Sequence, residues 1–182
     1  MRRSSDIRAP KLVIVGAPGC GKLEILRSVA ARFGEPPPEA VRVGFWETAK
    51  FDLEVDGLRF EVACLHGPQE YRASEELLLH RAIGVMCVMD VEPRCLQAAW
   101  DSLVVTSENA RRNGFELRAI PFVLQYHRAD RHPQFDAAKL DAWLGVPTHS
   151  VPRFVTPDSV PDANGGAFDA LLASVRKRIE AA

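Results

Sequence analysis

The chain has 182 residues, 47% of them apolar and 26% charged, with a formal net charge of −1. This length and balance suit one domain over 1–182 with a real core, residues 1–9 forming a flexible arm ahead of it. A sequence pI near 6.5 offers no concentrated positive surface for a sequence-independent grip on nucleic acid, so nucleic acid is not an expected partner.

At the start, Met1-Arg2-Arg3-Ser4-Ser5-Asp6 is basic but leads into no apolar signal core, and no later segment reaches the length of a membrane span. No Gly follows Met1 and no prenylation Cys stands in Ile179-Glu180-Ala181-Ala182, which predicts no direct membrane anchor and a cytoplasmic location. Cys20, Cys64, Cys87 and Cys95 lack close paired spacing and are expected to be free, reduced thiols.

The apolar run Lys11-Leu12-Val13-Ile14-Val15 predicts a strand that delivers the chain into Gly16-Ala17-Pro18-Gly19-Cys20-Gly21-Lys22-Leu23. A Gly-rich turn between a strand and a helix presents backbone N–H groups and a helix N-terminus to an anion, and Lys22 adds a point charge for the β- and γ-phosphates. Gly16, Gly19, Cys20, Gly21, Lys22 and Leu23 are therefore the candidate phosphate-binding residues. One of them departs from the pattern: the position after the lysine ought to hold Mg²⁺ through a Ser or Thr hydroxyl, and Leu23 has no lone pair to give. Cys20 has two readings, a small loop filler or a thiol activated by the helix N-terminus.

Leu23 to Phe33 carries Ile25, Leu26, Val29, Ala30 and Phe33 at helical spacing, with Gly34 as a stop. Glu35-Pro36-Pro37-Pro38-Glu39 reads as a stiff surface connection. From Phe51 to Cys64 the alternation of Phe51, Leu53 and Val55 with Leu58, Phe60, Val62 and Cys64 around Asp56-Gly57 predicts a β-hairpin. Ile83 to Met89 and Ile120 to Leu124 read as strands buried on both faces, with a long helix between them over Glu92 to Arg112. A helix near Asp136 to Leu144, a strand at Arg153-Phe154-Val155 and a helix over Ala167 to Ile179 complete the order. Strands alternating with helices predict an α/β fold: a mostly parallel six-stranded sheet with one antiparallel hairpin strand and helices on both faces.

His66, His80, His127, His132 and His149 show no ligand spacing on a single helix face and are expected to face solvent rather than a metal. Trp46, Trp100 and Trp143 are expected to pack in the core or an interface. No Ser-His-Asp set or paired-carboxylate motif points to another catalytic chemistry.

The order of parts resembles the Ras-like small GTPases, and more narrowly the bacterial MglA group, which governs cell polarity and motility. Gly67-Pro68-Gln69-Glu70-Tyr71-Arg72-Ala73-Ser74, followed by Ala82 to Asp90, is similar to that group's second switch and the strand after it. Ile120 to Asp130 is similar to its strand into the guanine-reading motif, and Gly165-Gly166-Ala167-Phe168-Asp169-Ala170-Leu171 to the start of its last helix. The resemblance implies a single Ras-like G domain of the P-loop class that binds GTP or GDP. It also implies a Roadblock-fold regulator, or another polarity or motility protein, docking on the switch surface.

Carried over residue by residue, the resemblance makes Asp130 the carboxylate that reads guanine N1 and N2. Arg128 stands for the lysine whose stem stacks on the base, and His127 for the asparagine that ties the base to the phosphate loop, which predicts weakened guanine affinity. Gly67 keeps the γ-phosphate position, while Pro68 replaces the water-orienting Gln and removes an N–H donor. Gln69 would serve only in a slipped register, since neighbours on an extended segment point opposite ways. Aligning Phe45-Trp46 with the family's aromatic pair puts Val43 at the second Mg²⁺ ligand and Arg42 at the group's intrinsic arginine, with Thr48 as an alternative hydroxyl. No Mg²⁺ site is expected. Two readings follow: a degenerate GTPase acting as a regulatory binding module, or a slow GTP switch that hydrolyses with help from a Roadblock-type activator and from Arg42.

Overall fold

The computed structural model describes residues 9–44, 46–66, 72–145, 150–158 and 165–181. Most of the expected N-terminal arm, together with Gly67, Pro68 and Gln69, lies outside them. The strands are β1 (Lys11–Val15), β2 (Val41–Val43), β3 (Trp46–Val55), β4 (Leu58–His66), β5 (Ala82–Asp90), β6 (Phe122–His127) and β7 (Arg153–Thr156). The helices are α1 (Lys22–Arg32), α2 (Arg72–Leu79), α3 (Leu96–Arg112), α4 (Ala137–Leu144) and α5 (Gly165–Glu180). They form the α/β architecture of a Ras-like fold, with one sheet in the order β2-β3-β4-β1-β5-β6-β7.

Among the described residues the sheet has seven strands rather than the six expected. The addition is β2, which pairs antiparallel with β3 through Val41↔Thr48 and Val43↔Trp46. Three residues after a proline-rich connection are too short to display a period of two. That connection is stapled to α1, where Arg27 Nε donates to Pro38 O at 3.1 Å. The hairpin is also longer than its alternation predicts, because β3 begins at Trp46 and pairs with β4 as far as Glu47↔His66. At its tip Asp56 and Gly57 both take positive φ, the geometry of a two-residue turn matched to strand twist. All pairings from β4 through β7 are parallel.

Alternation along β1 divides the core in two. Leu12 and Ile14 face α1 and α5, where they meet Ile25, Leu26, Val29, Phe168 and Leu171. Val13 and Val15 face the other side, with Leu79 of α2, Ala99 and Ala110 of α3, and Leu140 and Leu144 of α4. Helices thus cover both faces, as parallel strands apolar on both sides require. Pro93 begins a short 3-10 turn, so the helix expected from Glu92 becomes regular only at Leu96. Trp100 and Trp143 pack together with ring centroids 5.8 Å apart.

Candidate nucleotide-type site

From β1 the chain passes through α1 to β2–β4 on one side and later reaches β5–β7 on the other, so the strand order reverses beside β1. In open α/β sheets ligands bind in the crevice outside the C-terminal strand ends at such a point. The loop 16–21, Asp90, His127 and Thr156 all emerge there from β1, β5, β6 and β7.

Backbone proximity shapes the loop. Gly16 has φ +148, and a Cβ there would stand 2.3 Å from Val88 O and 2.8 Å from Cys20 Sγ. Gly21 caps α1 with φ 96 and no side-chain cap bond. A Cβ on Gly21 would lie 3.0 Å from the His127 ring, so the imidazole packs directly on the loop. Lys22 is 4% exposed, and its Nζ donates to Gly16 O at 2.8 Å and Ala17 O at 2.9 Å. Loop carbonyls therefore hold the buried ammonium, as a desolvated charge demands. Cys20 is buried with Sγ 4.0 Å from that ammonium, a position that suits loop packing.

Leu23, 7% exposed, turns into the core on the α1 and α5 side. An aliphatic side chain in that place gives a hard cation no donor atom, so the loop does not fit direct Mg²⁺ ligation through this position.

Charged side chains crowd the other end of the crevice. Arg128 takes φ 63, and its Nη1 donates to Gly19 O at 3.0 Å and to Asp90 Oδ2 at 2.7 Å. Burial works against its charge, but the Asp90 and Asp158 carboxylates outweigh that and raise its pKa. Its Nε also donates to Asp158 Oδ1 at 3.4 Å. Arg131 pairs with the second oxygen of Asp158, and the Asp158 N–H donates to Asp130 Oδ1 at 2.8 Å. Although desolvation alone would raise the Asp158 carboxyl, its bonds to Arg131 and Arg128 hold it below the ordinary carboxylate range.

His127 is 2% exposed, with Nε2 at 3.5 Å from Asp158 Oδ1 and Nδ1 at 3.3 Å from Thr156 Oγ1. Burial, followed by the Arg128 charge, pushes its pKa below the ordinary histidine value. The imidazole is buried rather than facing solvent as expected.

The structure therefore brings Gly16, Gly19, Cys20, Gly21, Lys22, His127, Arg128 and Asp130 to one crevice, while the side chain of Leu23 turns away into the core. Arg42 and Val43 are not brought there: they lie on edge strand β2, with β3 and β4 between them and β1, and Arg42 Nε donates to Gly44 O at 3.2 Å. Thr48 is likewise remote, its hydroxyl donating to Cys64 O at 3.0 Å within the hairpin. Asp90, Thr156 and Asp158 were missed by sequence reasoning. Their signal was positional, each standing at or just past the C-terminal end of a strand. Asp90, Glu92 and His132 bring potential ligand atoms within 4.8 Å of one another, but Asp90 already accepts from Arg128 and from the Glu92 N–H.

No protein-family model matches the chain. The mutual gliding-motility protein MglA of Myxococcus xanthus is 28% identical over 175 residues, an alignment that covers 90% of this chain and 87% of that protein. Among the described residues no helix is long and apolar enough to cross a membrane.

Proposed function

The chain is related to the MglA-like small GTPases, and from that kinship we propose that it works as a regulatory protein-binding module in bacterial polarity or gliding motility. In this reading it holds guanine nucleotide weakly, hydrolyses it little, and acts in the cytoplasm as a single G domain. The observation that carries the proposal is Leu23, whose buried aliphatic side chain takes the place of an oxygen donor in the first turn of α1. Phosphoryl transfer is catalysed mainly by positioning and charge stabilisation, so loss of metal anchoring removes a principal contribution rather than trimming one. Pro68 in place of the water-orienting Gln adds to that loss. The position of Arg42, two strands removed from the loop, supports an intrinsic rate without its help.

Docking is proposed on the switch side, by a Roadblock-fold regulator or another polarity protein. Supporting it is a cleft of ≈ 1160 Å³ that has Val43, Trp46 and Thr48 along the sheet and Leu77 and Leu78 on α2. Val43 and Leu77, which line it, are exposed at 45% and 61%, and Val41 on the same edge strand as Val43 at 60%. Pro68 and the Pro36-Pro37-Pro38 connection limit the order–disorder change an active switch needs.

Titration with a fluorescent guanine nucleotide, with and without Mg²⁺, followed by phosphate release in the presence of a purified Roadblock-fold protein, tests the reading. Weak binding indifferent to Mg²⁺, with no turnover, is the expected result. Tight Mg²⁺-dependent binding with turnover would overturn it. Introducing Leu23→Ser together with Pro68→Gln is expected to raise hydrolysis above that of the unaltered chain.

A further inference from the structure

We propose that Asp158 is a built-in occupant of the base-reading end of the site, a self-ligand that nucleotide must displace. The inference rests on the family reading above, which places His127, Arg128 and Asp130 where guanine would be met. All three spend a polar group on the same residue. Asp130 Oδ1 accepts the Asp158 N–H at 2.8 Å, as it would accept a guanine N–H. Arg128 Nε donates to Asp158 Oδ1 at 3.4 Å, and His127 Nε2 lies 3.5 Å from the same oxygen.

Two further contacts make this arrangement a clasp rather than a chance surface pair. Arg131 takes the other carboxylate oxygen, so both oxygens of Asp158 are engaged. Arg128 is anchored at its far end by Gly19 O and Asp90, which ties the clasp to the phosphate loop itself. Its side chain is 19% exposed and that of Asp158 32%, so the pair sits at the mouth of the crevice, partly screened from solvent.

A base seated against Arg128 and Asp130 has to break these contacts first, and apparent affinity falls by the fraction of molecules in which the clasp is open. Lys22 is held instead by the Gly16 and Ala17 carbonyls of its own loop, so the phosphate end is expected to meet less of that competition. The unaltered site is thus expected to separate the two halves of a nucleotide: it takes a diphosphate group on its own chemistry and gains little from the base.

Affinity for GDP and for inorganic pyrophosphate, measured by calorimetry in EDTA on the full chain, on Asp158→Ala and on Asp158→Asn, tests the proposal. Removal of the carboxylate, which frees Arg128 and His127 while the backbone N–H of residue 158 stays in place, predicts GDP binding tighter by about fivefold or more in Asp158→Ala, a smaller gain in Asp158→Asn, and pyrophosphate affinity within about twofold throughout. Unchanged or weaker GDP binding in both variants, each folded by its melting transition, would overturn the proposal and make Asp158 a support for the base site. That outcome leaves the reading of a binding module standing. The same reading fails instead on Mg²⁺-dependent turnover by the unaltered chain, whatever the Asp158 variants do.

Discussion

At the phosphate loop the one charged side chain, Lys22, is held by backbone oxygens of its own loop, whereas at the ends of β6 and β7 charged side chains hold one another. The first arrangement depends on backbone path and tolerates few substitutions. The second depends on paired charges at a half-open surface, where each pair is worth less and can be rearranged. Two ends built so differently are expected to respond unevenly to substitution.

The largest expected effect lies at the loop. Gly16→Ala puts a methyl 2.3 Å from the Val88 carbonyl oxygen at a φ that side chains rarely adopt. With overpacking and backbone strain each costing about 1–3 kcal/mol, a loss of about 3 kcal/mol or more is expected in urea unfolding. A loss under ~1 kcal/mol would mean the loop path is not dictated by β5 and would break the comparison.

Lys22→Met comes next. It leaves the Gly16 and Ala17 carbonyls without this buried donor, at a cost of about 1–3 kcal/mol, and in the proposed reading it removes the charge offered to a phosphate. Pyrophosphate affinity should fall about tenfold or more by calorimetry, an outcome that sharpens the division between the two ends.

The smallest effect belongs to the base end and is read against pH. Burial holds the His127 imidazole neutral, so its folded pKa lies below the unfolded value of about 6.5. Its contribution to stability is fully present above that unfolded value and is lost as pH falls below it, because the unfolded chain then binds the extra proton. His127→Gln should flatten the fall in stability below about pH 6.5, by no more than the ~1.4 kcal/mol per pH unit that one proton allows. Parallel curves for the two proteins, from chemical unfolding at a series of pH values, would show that His127 does not titrate as a buried group.

Local features made much of the architecture legible in advance. Val13, Ile14 and Val15 ahead of the glycines, the alternation around Asp56-Gly57, and the apolar run through Val85 to Val88 each carry their own period, and all became strands where expected. Strand β2 and the five-residue extension of β3 were not legible, since neither is apolar enough to stand out: β2 exists by pairing with that extension, and the extension by pairing with β2 and β4. The place of Arg42 and Val43 was illegible for the same reason: sheet pairing sets both on edge strand β2, with β3 and β4 between them and β1.

Residue identity was enough to decide the chemistry available at single positions: a lysine in a glycine loop, a leucine where a hydroxyl would serve, a carboxylate at Asp130. No reading of neighbours along the chain could decide how those groups are engaged. Arg128 finds Asp90 across 38 positions and Asp158 across 30, and Lys22 turns back to carbonyls that any residue would supply. Side-chain type is written locally, but which charges neutralise one another depends on distances between strand ends, and those distances are set by the order in which the strands pair.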